Sequence, residues 1–138
     1  YDSAQRFFEF EQGTGAILTL SSSASVLSGR DRRFHHTGGF STACAAIEAF
    51  TRSLAGEVGM QGVRVVCLRP DAIPETWSPE HQDDSEPNST YAYMKGGTLL
   101  GRMPALAEVA EAAVFAASDR ASAMTGTVLN LSCGSVME

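Results

Sequence analysis

At 138 residues, with 43% apolar and 19% charged side chains, the chain has the composition of a packed protein domain. Sixteen acidic residues against ten basic ones leave a net charge of −6, which argues against a nucleic-acid partner, since that would need a basic footprint. No apolar run approaches the roughly 20 residues needed to cross a membrane, and the first fifteen residues lack the charged-then-apolar order of a signal peptide. Cys44, Cys67 and Cys133 are an odd number with no CxxC pair. That pattern argues against a disulfide framework or a metal site and points to a reducing cytoplasm. Because the chain begins at Tyr1, an upstream portion is expected.

Residues 1–12 read as the end of a helix with Phe7, Phe8 and Phe10 as buried contacts, closed by Gly13-Thr14-Gly15. AILTLSS (16–22) suits a strand buried on both faces, and the Ser-, Arg- and His-rich residues 23–37 read as a loop. From Gly39 to Gly59, residues Phe40, Ala43, Ile47, Phe50, Leu54 and Val58 recur at spacings of three and four, which predicts one buried helical face. VRVVCLR (63–69) reads as a second buried strand, stopped by Pro70. Residues 71–98, with Pro74, Pro79, Pro87 and an acidic centre, read as a long irregular lid expected to be mobile. A helix over Leu106–Ser118 and a third strand, TVLNLSC (127–133), complete the order. Strands alternating with helices call for parallel pairing and an α/β architecture.

The stretch FSTACAAIEAFTRSLAGEVGMQGVRVV (40–66) resembles the helix-and-strand signature of the short-chain dehydrogenase/reductase family. The closing segment 101–134 is similar to the family's last helix and strand. This resemblance implies the later half of a doubly wound parallel-sheet Rossmann-like fold, about three parallel strands flanked by helices. The whole chain, 1–138, would then be the C-terminal portion of a single domain. The first strand and its Gly-rich phosphate turn would lie outside it, for Gly13 and Gly15 precede a strand and Gly96-Gly97 falls in the lid. The resemblance further implies NAD or NADP as cofactor and a small-molecule carbonyl or alcohol as substrate. It also implies a homodimer or homotetramer in which helix 40–58 packs against its twin.

The family's chemistry rests on a Ser and on a Tyr-x-x-x-Lys pair. Ser22 stands at the Ser position, with a longer loop between it and the helix; read without the resemblance, Ser21–Ser23 could simply end a strand through side-chain bonds to the backbone. The Tyr position is Phe40, which has no exchangeable proton, and the Lys position is Cys44, which carries no positive charge. Pro70, Ile73 and Thr76 correspond to the segment that passes the nicotinamide, where Asp71 replaces a Gly. Two roles stay open for several residues: Cys44 is a small buried residue or a nucleophile, and His35 and His36 are loop residues or a replacement acid. Tyr91 and Tyr93 pack the lid or swing over the site. Two functions follow as alternatives. One is an NAD(P)-dependent oxidoreductase with an impaired or altered site; the other is a non-catalytic relative serving as an assembly or binding module.

Overall fold

Period-two alternation in the central strand organises the molecule. The computed structural model describes residues 15–36 and 38–138, so the helix expected over 1–12 lies outside the described residues. Three strands, β1 (Gly15–Leu20), β2 (Val63–Pro70) and β3 (Thr127–Leu131), form a parallel sheet in the order β1-β2-β3. Gly15 pairs with Val63 and Leu20 with Leu68, while Val66 pairs with Thr127 and Pro70 with Leu131. Along β2, Val63 and Val65 join one apolar cluster, and Val66 and Leu68 join another on the opposite face. Successive side chains of a strand point to opposite faces, so a nearly continuous apolar run can serve two helix layers at once.

The helices are α1 (Gly29–His35), α2 (Gly38–Val58), α3 (Thr90–Gly96) and α4 (Leu106–Ala117). Among the described residues, no helix is long and apolar enough to cross a membrane. The base of α2, with Leu54, Ala55 and Val58, packs against Val63, Val65 and Ile17. On the other face, Val109 and Ala116 of α4 pack against Val66 and Leu68. Arg64 fastens the end of α4, donating from Nη1 to the Ala116 carbonyl at 2.8 Å and from Nη2 to the Ser118 carbonyl at 3.0 Å. These carbonyls lie in the last turn or just beyond it, where intrahelical donors run out.

Four expectations from the sequence need correction. Residues 23–37 are not all loop: a 3-10 turn over Ser23–Val26 is followed by α1. The segment 71–98 contains 3-10 turns at Pro74–Thr76 and Pro79–His81 and then α3. Strand β1 is partly exposed rather than buried on both faces, because it is the outer strand of the sheet described here.

The fourth correction concerns α2. Its buried residues are Ser41, Cys44, Glu48, Thr51, Leu54, Ala55 and Val58, whereas Phe40 is 58% and Phe50 54% exposed. Over its first turns, from Phe40 to Thr51, the helix is turned by about one residue, roughly 100°, from the face its apolar pattern predicts, whereas Leu54 and Val58 are buried as expected. Polar pairing explains the turn. Arg69 holds Glu48 through two charge-assisted bonds, Nε to Oε1 and Nη2 to Oε2, both at 2.7 Å. Both residues are about 95% buried. Ser21 and Ser25 each donate to Glu48 Oε1 at 2.7 Å, and Arg69 Nη1 donates to the Glu138 carbonyl. One turn further along α2, Thr51 donates to the Ile47 carbonyl at 2.8 Å, so its contact with Thr19 at 2.6 Å uses the Thr19 proton.

Burial on its own would raise the Glu48 carboxyl, but the bonds from Arg69, Ser25 and Ser21 outweigh it and bring the group down to about 2. A depressed carboxyl stabilises the fold above its unfolded value, near 4.5, and loses that contribution as pH falls toward about 2. Glu48→Gln in the full-length protein should therefore cost about 3–5 kcal/mol in denaturant unfolding near neutral pH, by stranding Arg69. The difference from the parent should shrink progressively between pH 4.5 and pH 2. A loss that is independent of pH across this window would refute the assignment.

Candidate functional site

Parallel strands β1 and β2 deliver their C-terminal ends side by side, the usual location of ligands in open α/β sheets. Chain leaving β1 turns at Ser22, whose backbone is extended and whose Oγ accepts the Ala24 N–H at 3.2 Å. This is the side-chain-to-backbone bond that ends a strand. It also leaves the hydroxyl proton free, since a serine Oγ can accept one bond and donate another. Chain leaving β2 runs through Asp71, Ala72 and Ile73 into the Pro74–Thr76 turn.

A cavity of about 390 Å³ lies between these exits, within the ordinary size range of small-molecule sites. Ser22, Phe40, Ile73 and Thr76 line it, together with His35 and Asp71. The sequence-predicted residues thus converge, with two exceptions: Cys44 and Pro70 do not form part of the wall. Pro70 is the buried last residue of β2. Cys44 lies one turn beyond Phe40 on α2, 3% exposed, with its thiol pushed up by burial and only partly relieved by the Ser22 backbone. Those surroundings suit a small packing residue and not a nucleophile. Thr76 uses its hydroxyl to donate to the Ile73 carbonyl at 2.7 Å, which shapes the turn.

Asp71 is 9% exposed, and Ser23 Oγ donates to its Oδ1 at 2.6 Å. The first chain exit is thereby tied to the second, directly behind the cavity. Neither Ser23 nor its bond was foreseen, because a Ser run gives no sign of which hydroxyl reaches across 48 residues of sequence. Trp77 and Met94 also line the cavity, brought there by the turns of the lid segment.

The clasp over this end of the molecule is aromatic. Phe34 of α1 stacks on Tyr93 of α3 with ring centroids 3.7 Å apart and planes 12° from parallel. Tyr93 Oη donates to Asp31 Oδ1 at 2.9 Å, and Arg30 lies 5.4 Å above the Tyr93 ring. Tyr91 meets Trp77 edge to face at 6.1 Å. Both tyrosines therefore pack the lid segment, and neither lines the large cavity. His35 does line it, while His36 caps α1 in the left-handed conformation, with φ of 48°.

The family profile described as enoyl-(acyl carrier protein) reductase matches residues 2–135. A 3-oxoacyl-(acyl-carrier-protein) reductase of Chlamydia trachomatis is 33% identical over 121 residues, covering 88% of this chain and 45% of the relative. The chain belongs to the short-chain dehydrogenase/reductase family. Galactitol 2-dehydrogenase of Cereibacter sphaeroides is 31% identical over 123 residues, covering 89% of this chain and 46% of that protein. Among solved structures, an oxidoreductase of the short-chain dehydrogenase/reductase family from Burkholderia thailandensis matches with a TM-score of 0.68 and 29% identity. The match takes in 86% of this chain and 44% of that one. The chain spans a little under half the length of the curated relatives it matches.

Burial of Cys44 sets an expected reactivity. In the folded protein near neutral pH, Cys44 should resist alkylation by iodoacetamide, and denaturant should expose it; peptide mass mapping reads the outcome. Prompt labelling of Cys44 in the native protein would contradict its placement against the Ser22 backbone.

Proposed function

We propose that the full-length protein is an NAD(P)-dependent oxidoreductase acting on a small carbonyl or alcohol, with proton delivery altered from the family's usual arrangement. The observation that carries this reading is the convergence of Ser22, Phe40, Ile73 and Thr76 on one cavity at the strand ends. In it, Ser22 uses its free hydroxyl proton to hold and polarise the substrate oxygen. When bound, the nicotinamide cofactor would supply the hydride.

Fit to that cofactor is partial. Ile73 and Thr76 offer an apolar wall and a turn of backbone to a flat ring. Cys44, however, brings no ammonium to a ribose, and Asp71 sets a carboxylate where the family has glycine. Phe40 cannot exchange a proton. Among the residues of the wall, His35 is the one of a type that commonly acts as acid or base near neutral pH, and we assign it the role of alternative proton donor.

Phe40 and Cys44 also favour a second reading, a non-catalytic relative that keeps the fold as an assembly or binding module. Under both readings, the exposed Phe40 and Phe50 side of α2 would face a second copy of the chain in a homodimer or homotetramer. Titrating the full-length protein with NADH and NADPH by fluorescence separates the two. Saturable binding is expected for the enzyme, and its absence at millimolar cofactor would leave only the binding module.

Restoring the missing groups tests the site directly. Phe40→Tyr with Cys44→Lys should raise carbonyl reduction by roughly 10²–10⁴-fold, the usual worth of a positioned acid. An unchanged rate, in a variant that still binds cofactor, would mean that these two positions do not serve proton delivery here.

A further inference from the structure

A second, smaller cavity opens beside the first, and the two share Leu27, His35, Asp71 and Met94 as common walls. Its volume is about 40 Å³, room for a single water-sized group, whose share of liquid volume is about 30 Å³. The remaining wall includes Asp31, Tyr93 and Ser135. Ser135 Oγ is buried and has no hydrogen-bond partner among the described residues. Asp71 receives Ser23 on Oδ1, and no side chain or backbone N–H among the described residues donates to its Oδ2. Asp31 receives Tyr93 on Oδ1 and Ser28 on Oδ2, at 2.9 Å and 3.1 Å.

Carboxylates dominate the charged groups, with His35 shared by both walls. Two carboxylates border the small cavity, and neither cavity has a Lys or Arg in its wall. Arg30, above the Tyr93 ring, belongs to neither. A carboxylate withdrawn from water is costly unless a cation or a full set of donors answers it, and Asp71 has one hydroxyl. The adjoining large cavity is different in character, with Phe40, Ile73, Trp77 and Met94 giving it an apolar lining.

We infer that the paired cavities bind a primary amine, its ammonium in the small chamber between Asp71, Asp31 and Ser135, and its apolar body in the large one. An ammonium carries three donors and no acceptor, which matches the open acceptor sites on Asp71 Oδ2 and Ser135 Oγ, and the Ser135 proton can turn to a carboxylate. Among the described residues, no group of three or more His, Cys, Asp or Glu side chains is placed to hold a metal ion. The inference deepens the oxidoreductase reading and rests on it for one point only. With Ser22 holding the reacting oxygen, the substrate becomes an amino alcohol or an amino carbonyl compound.

Calorimetric titration of the full-length protein with 2-phenylethylamine and with its neutral counterpart 2-phenylethanol tests the inference. The amine should bind roughly tenfold or more tightly than the alcohol, as expected for hydrogen bonds to a charged group. Asp71→Asn keeps the shape and the Ser23 contact, and should bring the two affinities close to parity. Equal affinities in the parent, no binding of either compound, or an amine preference that survives Asp71→Asn would each overturn the inference. The comparison in the parent protein needs no variant, so a misfolded Asp71→Asn leaves it decisive. Titration of the same preparation with NADH separates the two claims. Cofactor binding without amine preference sinks this inference alone, whereas amine preference without cofactor binding sinks the oxidoreductase reading alone.

Discussion

The buried pair of Glu48 and Arg69 is the constraint on which the rest of the structure depends. Removing two charges from water costs several kcal/mol per ion unless geometry and extra hydrogen bonds answer it. Here the guanidinium meets the carboxylate through two bonds, and Ser21 and Ser25 supply two more to the same carboxylate. Four pieces of chain therefore meet at one point: the end of β1, the turn after it, the middle of α2 and the end of β2. Such a pair is weak evidence for stability in itself. What it specifies is rotation, since α2 can satisfy Glu48 only with its Cys44–Glu48–Thr51 side against the sheet.

That rotation has consequences at both faces of the helix. On the inner face, Cys44 is sealed beneath the Ser22 turn and closed to solvent. Outward, Phe40 and Phe50 remain exposed, and Phe40 still reaches the rim of the cavity. The residues between Ser22 and Phe40 make α1, which gives α3 a surface to stack upon through Phe34 and Tyr93. A segment rich in proline and acid is held over the strand ends by that stack and by the Tyr93–Asp31 bond. Fixing the segment in this way also creates the small acidic chamber, because Asp31, Asp71 and Tyr93 come from three different elements.

The site differs from a proton-relay site in the sign of its charge. A lysine beside a tyrosine places positive charge at the reacting end, favouring the phenolate. Phe40 and Cys44 are of neither type, and Asp71, tied to Ser23, places a carboxylate in the cavity wall. The large cavity has no tyrosine in its wall, and under the amine reading inferred above the acidic chamber beside it receives a cation.

Strand and helix order, parallel pairing and the family were legible in the sequence, because apolar periodicity and small-residue runs reflect local backbone geometry. The strands over 15–20, 63–70 and 127–131 and the long helix emerged within two residues of the reading. Ser22, Phe40, Ile73 and Thr76, singled out through the family resemblance, line one cavity. The buried face of α2 was not. Hydrophobicity counts Glu48 and Thr51 as surface residues, and only Arg69, Ser21 and Thr19, distant in sequence, make their burial favourable. Helix α1 was hidden for a similar reason, since the ring stack and hydrogen bond that hold it come from a tyrosine about sixty residues away. The sequence by itself determined the elements and the family, which rest on local patterns. Only the tertiary structure decided which side of the helix is inside and which charges share a cavity, because those depend on partners that no local pattern can name.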